Sequence, residues 1–219
     1  MSDILISYLI TTHNEGENLQ KLFWRVAYES GDHTKEIVVV DDYSTDEKTI
    51  EILTRWSNNK SIKLHRHALN DHYGEHKNYG NSLCNGKYIF QIDGDELPNE
   101  ILLLNLPSIF ESNPQIDVFH VPRKNMFIGM TDNDIKKWGW RVNKDGFVNW
   151  PDYQSRIYKN EPQIKWERKL HETIVGMDQY AYIPDIYELS LYHEKTIEKQ
   201  RNDNQRYMSK FSAEDNIRK

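Results

Sequence analysis

Two carboxylates lie one residue apart, at Asp93 and Asp95, directly after an apolar segment of strand length. Two neighbouring negative charges are costly to remove from water unless a counter-charge is present. A hard cation such as Mg²⁺ or Mn²⁺ supplies that charge and prefers oxygen ligands, and Gly94 lets backbone or a ligand approach closely. The pattern therefore fits a metal-bound ligand, but it equally fits a solvated acidic turn that begins a helix near Pro98.

Two further polar clusters follow segments of strand character, one at residues 11–15 and one that begins at the acidic pair Asp41-Asp42. Ser44 or Thr45 is a suitable cap for a helix that follows the pair, so a plain turn would explain it. Alternatively, one carboxylate hydrogen-bonds a nucleobase or a ribose. A phosphoacceptor site of the receiver-domain type also places acids here, but it leaves the later Asp-x-Asp pair unexplained.

The elements that must position these clusters alternate along the first half of the chain. Apolar, β-branched runs predict strands at residues 4–10, 37–40, 62–64 and 88–92. Helical spacing of apolar residues predicts helices at about residues 19–26, 50–56 and 73–83. This order implies a parallel sheet, in which ligands bind beyond the carboxyl ends of the strands. We therefore expect the three polar clusters to converge at one edge.

The second half of the chain has a different character. Short β-like segments at residues 117–121 and 154–158 are interspersed with tryptophans, which predicts a mixed region that wraps the open side of the site. From residue 194 onward the chain is polar and charged, as in a surface helix with a loose tail. We therefore expect one domain over residues 1–193, with a change of character near residue 105, and a tail at 194–219.

The composition narrows the function classes. The net charge of −6 argues against broad electrostatic binding to nucleic acid. The lone cysteine, Cys84, cannot form an internal disulfide, and no apolar run approaches the ~20 residues of a membrane span. We expect a folded cytoplasmic protein that is free to make a peripheral membrane contact.

Three segments together resemble family 2 glycosyltransferases of the GT-A fold. They are SYLITTHNEGENL, EIVVVDDYSTDEKTIEIL and HKNYGNSLCNGKYIFQIDGDE, and their order and spacing agree with the family over about residues 3–105. The resemblance implies an α/β, Rossmann-like, mainly parallel sheet with helices on both faces and a mixed β and loop region on the acceptor side.

The resemblance also implies roles for the matching residues. Asp42 and Lys77 would lie near the base, Asp93 would face the ribose or the metal, and Asp95 would ligate Mn²⁺ or Mg²⁺ that bridges the diphosphate. The chain departs from many relatives at His13, where they carry Tyr. The residues assigned to the nucleotide sugar are Thr11, His13, Glu15, Asp42, Lys77, Asp93 and Arg156.

The second half matches the family through two segments, NWPDYQSRIYKN and WERKLHETIVG, which are similar to a subgroup with a late His-Glu pair. By position we predict Glu172 as the catalytic base, with His171 beside it. His193 is a candidate second metal ligand with Asp95, although a lone histidine is more often a surface or core residue. Arg156 is a candidate for contact with the phosphates.

The resemblance implies an inverting transfer from a nucleotide diphosphate sugar, with a UDP-sugar favoured, to a hydroxyl of a glycan or a lipid-linked acceptor. It also makes residues 1–105 the nucleotide-sugar half of the domain and residues 106–193 the acceptor half. Alternatives are a nucleotide-sugar-binding protein without catalysis and a nucleotidyltransferase, although the loop at 11–19 lacks the Gly-rich, basic phosphate loop of the latter. A viral-type enzyme that glycosylates modified DNA bases is a further alternative. Its basic groove would include Arg123, Lys124, Lys136, Lys137 and Arg141.

Overall fold

A computed structural model describes residues 3–212 and 214–215, and a seven-stranded sheet forms its centre. The first half builds four parallel strands in the spatial order β4-β1-β2-β3. Its elements are β1 (Ile6–Thr12), α1 (Glu17–Tyr28), β2 (Lys35–Asp41), α2 (Glu47–Asn58), β3 (Lys63–Arg66), α3 (Tyr73–Asn81) and β4 (Tyr88–Asp93). The predicted alternation of strands and helices is confirmed.

The second half completes the sheet and adds two small ones. Its elements are β5 (Glu96–Pro98), α4 (Glu100–Ser112), β6 (Val118–Val121), β7 (Arg123–Ile128), α5 (Asp132–Trp138), β8 (Gln154–Lys159), β9 (Lys165–Glu167), β10 (Thr173–Val175), β11 (Tyr180–Tyr182), β12 (Leu191–Thr196) and α6 (Ile197–Lys210). Strand β8 runs antiparallel between β4 and β6, and β11 closes that edge. Separate sheets pair β9 with β10, and β12 with β5 and β7.

Both faces of the central sheet are covered, because successive strand residues point to opposite sides. In β1, Tyr8 and Ile10 join a core beneath α1, α2 and α4, while Leu9 joins a second core with residues next to α3 and the β9–β10 sheet. This two-sided burial explains the continuous apolar runs of the parallel strands. The predicted α/β fold with helices on both faces is confirmed.

The strand register places the polar clusters side by side. Thr11 at the end of β1 is paired with Asp93 of β4, and Thr12 is paired with Asp41 of β2. The backbone N–H of Asp42 donates to the carbonyl of Thr12 at 2.9 Å, which ties the first two loops together. The predicted convergence at the carboxyl ends of the strands is therefore confirmed.

Two local expectations differ from the structure. Asp46, rather than Ser44 or Thr45, caps α2 by accepting from the backbone N–H of Thr49 at 2.8 Å.

The turn after Asp95 does not begin a helix, since residues 96–98 form β5, which pairs with β12. Helix α4 starts later, with Asn99 as its cap. The acidic turn therefore leads into a strand and not into a helix, and Glu96 and Pro98 of that strand are buried.

The predicted boundary at residue 193 falls inside β12, and the helix that follows is joined to the domain. Thr196 caps α6, and Lys199 of α6 forms an ion pair with Glu15 in the first loop. Arg201, also on α6, pairs with Asp134 of α5 at 2.7 Å. The part of the predicted tail at 213 and 216–219 lies outside the described residues. Among the described residues, no helix is long and apolar enough to cross a membrane.

Candidate active site

Asp93 is held at the end of β4 by three side chains. Its Oδ1 accepts from Gln91 at 2.9 Å and from the hydroxyl of Thr11 at 3.2 Å, and its Oδ2 accepts from Arg156 at 2.6 Å. Burial raises the pKa of Asp93, but the charges of Arg156 and Lys77 outweigh it, so the pKa lies well below its usual range. Asp93 is therefore an oriented carboxylate that is ionised at neutral pH.

Arg156 lies behind the Asp-x-Asp loop, with only 4% of its surface exposed. It donates to both oxygens of Glu96, to Gln91 and to Asp93, so four of the five guanidinium N–H donors are engaged. Arg123 also donates to Glu96, at 2.8 Å. The structure thus makes Arg156 a buried support for the loop, and its contact with donor phosphates stays a prediction.

Asp95 faces His193, with 3.4 Å between Oδ2 and Nε2. The other ring nitrogen of His193 lies 2.8 Å from Oδ1 of Asn125. Because the amide group of Asn125 donates to Asp152 at 2.8 Å, its oxygen points to the ring, and Nδ1 of His193 carries the proton. Nε2 of His193 thereby faces Asp95. The structure brings these two residues together, and their role as metal ligands stays a prediction.

The geometry of this pair suits one divalent cation. In an octahedral site with bonds of about 2.1 Å, two ligands at right angles lie about 3 Å apart. A carboxylate oxygen and an imidazole are both suitable ligands for Mn²⁺. No group of three or more His, Cys, Asp or Glu side chains within residues 3–212 and 214–215 has metal-binding geometry. Asp95 and His193 would therefore share the ion with oxygens that do not come from such side chains.

Lys199 joins the site from α6, where the sequence indicated only a surface helix. Its Nζ lies 2.9 Å from Oε2 of Glu15 and 3.8 Å from Oδ2 of Asp95. Burial raises the pKa of Glu15, as does the nearby charge of Asp95, whereas Lys199 opposes this shift. We infer that Lys199 balances the two carboxylates. The charge-rich sequence of α6 contains no periodic signal that singles out this lysine.

Glu172 forms an ion pair with Lys77, although 95 residues separate them in the chain. The same ammonium group lies 3.8 Å from Oδ1 of Asp93 and 4.5 Å from the centre of the Trp166 ring. Burial raises the pKa of Glu172, but the charge of Lys77 outweighs it and keeps the pKa below its ordinary value of 4.5. Lys77 thus connects the predicted base to the Asp-x-Asp loop.

The loop that carries Glu172 has an unusual backbone. Arg168 and His171 both adopt positive φ angles, of 81° and 52°, which side-chain-bearing residues rarely do. Such conformations persist only where the surrounding structure enforces them, and they cluster at functional sites. The backbone of α3 contacts this loop, since the N–H of Gly74 donates to the carbonyl of Arg168 at 3.2 Å.

Of the two residues predicted near the base, Asp42 directly follows β2, whereas Lys77 pairs with Glu172 and lies 3.8 Å from Asp93. Oδ1 of Asp42 accepts from the backbone N–H of Leu69 at 2.8 Å, and Nδ1 of His13 donates to the carbonyl of Asp42 at 2.7 Å. About half of the His13 side chain is exposed, as is Tyr43, whose φ is 48°. Nucleotide contact by Asp42, Lys77 and His13 stays a prediction.

A comparison with known families identifies the family of this chain. The sequence model described as glycosyl transferase family 2 matches residues 7–199, which include every candidate residue of the site. This chain belongs to glycosyl transferase family 2. The match extends through β12 and into α6 as far as Lys199, which agrees with the ion pair that joins this helix to the first loop.

Related proteins agree with this family. The chain is 35% identical over 94 residues to an undecaprenyl-phosphate 4-deoxy-4-formamido-L-arabinose transferase of Pseudomonas syringae pv. syringae, covering 41% of this chain and 28% of the relative. The fold of this chain is similar to that of S. aureus TarS, with a TM-score of 0.60 and 16% identity. The similarity covers 87% of this chain and 60% of the TarS chain. A TarS structure in complex with UDP-GlcNAc gives the same TM-score at 18% identity, with 88% and 59% covered. The chain thus spans less than two thirds of these relatives.

Proposed function

We propose that this family 2 member is an inverting, metal-dependent glycosyltransferase that uses a nucleotide diphosphate sugar. The observation that carries the proposal is the placement of two sets of groups at one sheet edge. Asp95 and His193 form one set, and Glu172, Lys77 and Asp93 form the other. The first suits the leaving diphosphate, and the second suits the sugar and the attacking hydroxyl.

A divalent cation, Mn²⁺ or Mg²⁺, fits the first set, with Asp95 and His193 as its protein ligands. When bound, the ion would neutralise charge that develops on the leaving nucleoside diphosphate. Hard cations of this kind are commonly held by one or two carboxylates together with substrate phosphates. Two facing protein ligands are therefore sufficient for a site that the donor completes.

The residues of the second set would perform the acceptor chemistry. Glu172 is ionised at neutral pH and would take the proton from the acceptor hydroxyl as that oxygen attacks the anomeric carbon. The electron pair of the broken bond would leave with the diphosphate. The configuration would be inverted, because the hydroxyl attacks on the face opposite the leaving group. Lys77 would orient Glu172 through their ion pair, and Asp93, fixed by Arg156, would face the sugar or the ribose.

The donor we favour is a UDP-sugar, and the acceptor we favour is a glycan or a lipid-linked acceptor. The TarS complex with UDP-GlcNAc supports the donor class, because the fold is shared. The name of the Pseudomonas relative, an undecaprenyl-phosphate sugar transferase, supports a lipid-linked acceptor. Asp42, at the base end, is a carboxylate that can accept from a nucleobase N–H.

A screen of nucleotide sugars tests the proposal directly. Purified protein is incubated with UDP-, GDP- and dTDP-sugars with Mn²⁺ or with a chelator, and both thermal stabilisation and release of the nucleoside diphosphate are measured. We expect one donor class to raise the melting temperature and to be hydrolysed slowly only with metal. Binding without any release would favour the non-catalytic alternative, and neither response with any donor would refute the proposal.

The alternative of DNA glycosylation loses part of its basis in the structure. Arg123, the first residue of the predicted basic groove, pairs with Glu96 and Asp152 instead of facing solvent. The ammonium group of Lys124 lies about 6 Å from the centres of three aromatic rings, which are those of Phe147, Tyr187 and Tyr192. These two positions therefore do not contribute to an open basic groove.

The contact between Asn125 and His193 leads to a prediction about the metal. Asn125→Ala should weaken Mn²⁺ binding by about 10- to 100-fold, because the ring of His193 loses the acceptor that fixes its tautomer. The measurement is the electron paramagnetic resonance signal of free Mn²⁺ titrated with protein and UDP. Asn105→Ala, at an exposed position of α4, is the control. Equal Mn²⁺ affinity in the two variants would contradict the role of Asn125.

A further inference from the structure

A short segment beside the site combines cations with aromatic and apolar side chains. Residues 136–144, with the sequence KKWGWRVNK, contain four cations and no acid, although the whole chain has a net charge of −6. We call this segment, together with Ile128, the basic-aromatic face. Its four cations, which are Lys136, Lys137, Arg141 and Lys144, are all exposed.

The cations of the basic-aromatic face differ from the other basic residues nearby. Lys199 and Arg201 of α6 are committed to acids, namely Glu15 and Asp134. By contrast, no ion pair within the described part of the chain involves any of the four cations. Lys137 instead lies 5.5 Å from the centre of the Trp138 ring. The positive charge of the face is therefore available to an anionic partner.

Apolar groups lie between these cations. Ile128 and Val142 are 49% and 37% exposed, and Trp138 and Trp140 are partly exposed. The two indole rings contact each other with 4.6 Å between their centroids. Trp side chains with flanking Lys and Arg are characteristic of protein surfaces that enter the headgroup region of a bilayer. The combination favours lipid over a purely polar polyanion.

The face is also held in a defined shape. Residues 141–149 fold back as a hairpin, in which the N–H of Asn149 donates to the carbonyl of Arg141 at 2.7 Å and Val142 is bridged to Val148. Oδ1 of Asn143 accepts from the backbone N–H of Phe147 at 2.9 Å, which closes the turn. Little ordering entropy is then lost when the face meets a surface.

The face connects physically to the candidate metal site. The ring of Trp140 stacks on Phe127, with centroids 4.6 Å apart and an interplanar angle of 13°. Phe127 in turn meets His193 edge to face, with centroids 6.3 Å apart. An acceptor whose lipid anchor rests in a bilayer below Trp140 would therefore have its headgroup close to Asp95.

From these observations we propose that the basic-aromatic face docks on an anionic lipid surface. The cations attract the negatively charged headgroups, and Trp138, Trp140 and Val142 enter the interface. The docking itself follows from this face alone. The further step, in which docking presents a lipid-linked acceptor to the site, rests on the proposed glycosyltransferase function.

Vesicle binding tests the proposal. Purified protein is sedimented with phosphatidylcholine vesicles that contain phosphatidylglycerol, and with vesicles of phosphatidylcholine alone. We expect binding to the anionic vesicles that weakens as salt is added, and little binding to the neutral ones. The triple variant Lys136→Gln, Lys137→Gln and Lys144→Gln should bind about 100-fold more weakly, at about fivefold for each lysine.

A matched triple variant controls for net charge. Lys21→Gln, Lys60→Gln and Lys87→Gln removes three exposed lysines elsewhere and should bind as the unmodified protein does. Trp138→Ser should weaken binding while leaving its salt dependence unchanged, provided that circular dichroism shows an intact fold. Equal losses in both triple variants would overturn the proposal, as would no binding to anionic vesicles at low salt.

Nucleic acid is the competing partner, and the same variants distinguish it. The proposal would be overturned if the protein bound duplex DNA in a salt-sensitive way but did not bind vesicles, and if the triple variant at Lys136, Lys137 and Lys144 lost the DNA binding. That result would assign the basic-aromatic face to nucleic acid. The vesicle assay contains no nucleotide sugar. A negative vesicle result therefore leaves the proposed transferase function standing, and a negative donor screen leaves a positive vesicle result standing.

Discussion

Asp95→Ala is expected to lower metal-dependent sugar transfer about 1,000-fold, which is the loss typical when one group that stabilises developing negative charge is removed. The substitution deletes the carboxylate that faces His193 at 3.4 Å, so the leaving diphosphate loses its cation. The effect should fall on kcat with Mn²⁺ present, and the remaining activity should no longer respond to a chelator. Steady-state kinetics across a Mn²⁺ titration make the measurement.

The fold should survive this change. Arg156, Glu96 and Asp93 support the loop without Asp95, and removal of one carboxylate relieves repulsion with Glu15. We therefore expect an unchanged circular dichroism spectrum and a melting temperature close to that of the parent. Asp178→Ala, at an exposed position far along the chain, serves as the control. Parental transfer by the Asp95 variant in the presence of chelator would remove Asp95 from the metal site.

Glu172→Gln is expected to lower turnover by about 10²- to 10⁴-fold, the usual range for loss of a general base. Glutamine keeps the size of the side chain but cannot take a proton from the acceptor. Donor binding should change far less than turnover, because the proposed diphosphate site is formed by Asp95 and His193. Isothermal titration with UDP and Mn²⁺ separates the two effects, and Glu111→Gln on α4 is the control.

Stability must be followed in the same experiment. Lys77 is 2% exposed. After the substitution, its ammonium group keeps Asp93, at 3.8 Å, as an acidic partner. Loss of one member of a buried ion pair costs about 3–5 kcal/mol, so a lower melting temperature is expected. The double variant Glu172→Gln, Lys77→Met removes both charges and should recover part of that stability without recovering turnover. Turnover equal to the parent in a folded Glu172 variant would exclude Glu172 as the base.

The pKa of Glu172 also predicts a pH dependence. Because Lys77 holds this pKa below 4.5, the carboxylate stays ionised as pH falls from 7 to 5. A base works only when deprotonated, so the acid limb of the rate should lie below pH 4.5 in the parent enzyme. In Lys77→Met the pKa of Glu172 should rise, which moves that limb to higher pH. An acid limb that stays at the same pH in Lys77→Met as in the parent would contradict this assignment.

Much of the fold could be read from local sequence patterns. The continuous apolar runs of β1, β2 and β4 indicated strands buried on both faces, and the helices followed from the spacing of their apolar residues. Parallel order then implied that the polar ends of the strands meet, as the pairing of Thr11 with Asp93 shows. The start of α4 was harder to predict, because only tertiary pairing with β12 holds residues 96–98 as a strand.

The sequence by itself determined the α/β class, the family resemblance and the edge of the sheet at which the Asp-x-Asp pair would lie. Tertiary structure decided which side chains meet there. Lys77 contacts Glu172 across 95 residues, and Lys199 reaches Glu15 across 184. Local periodicity records which face of an element is buried, but it does not record which distant element packs against it. Apart from His193, which the sequence had already suggested as a partner of Asp95, the contacts of the two aspartates therefore became known only from the folded chain.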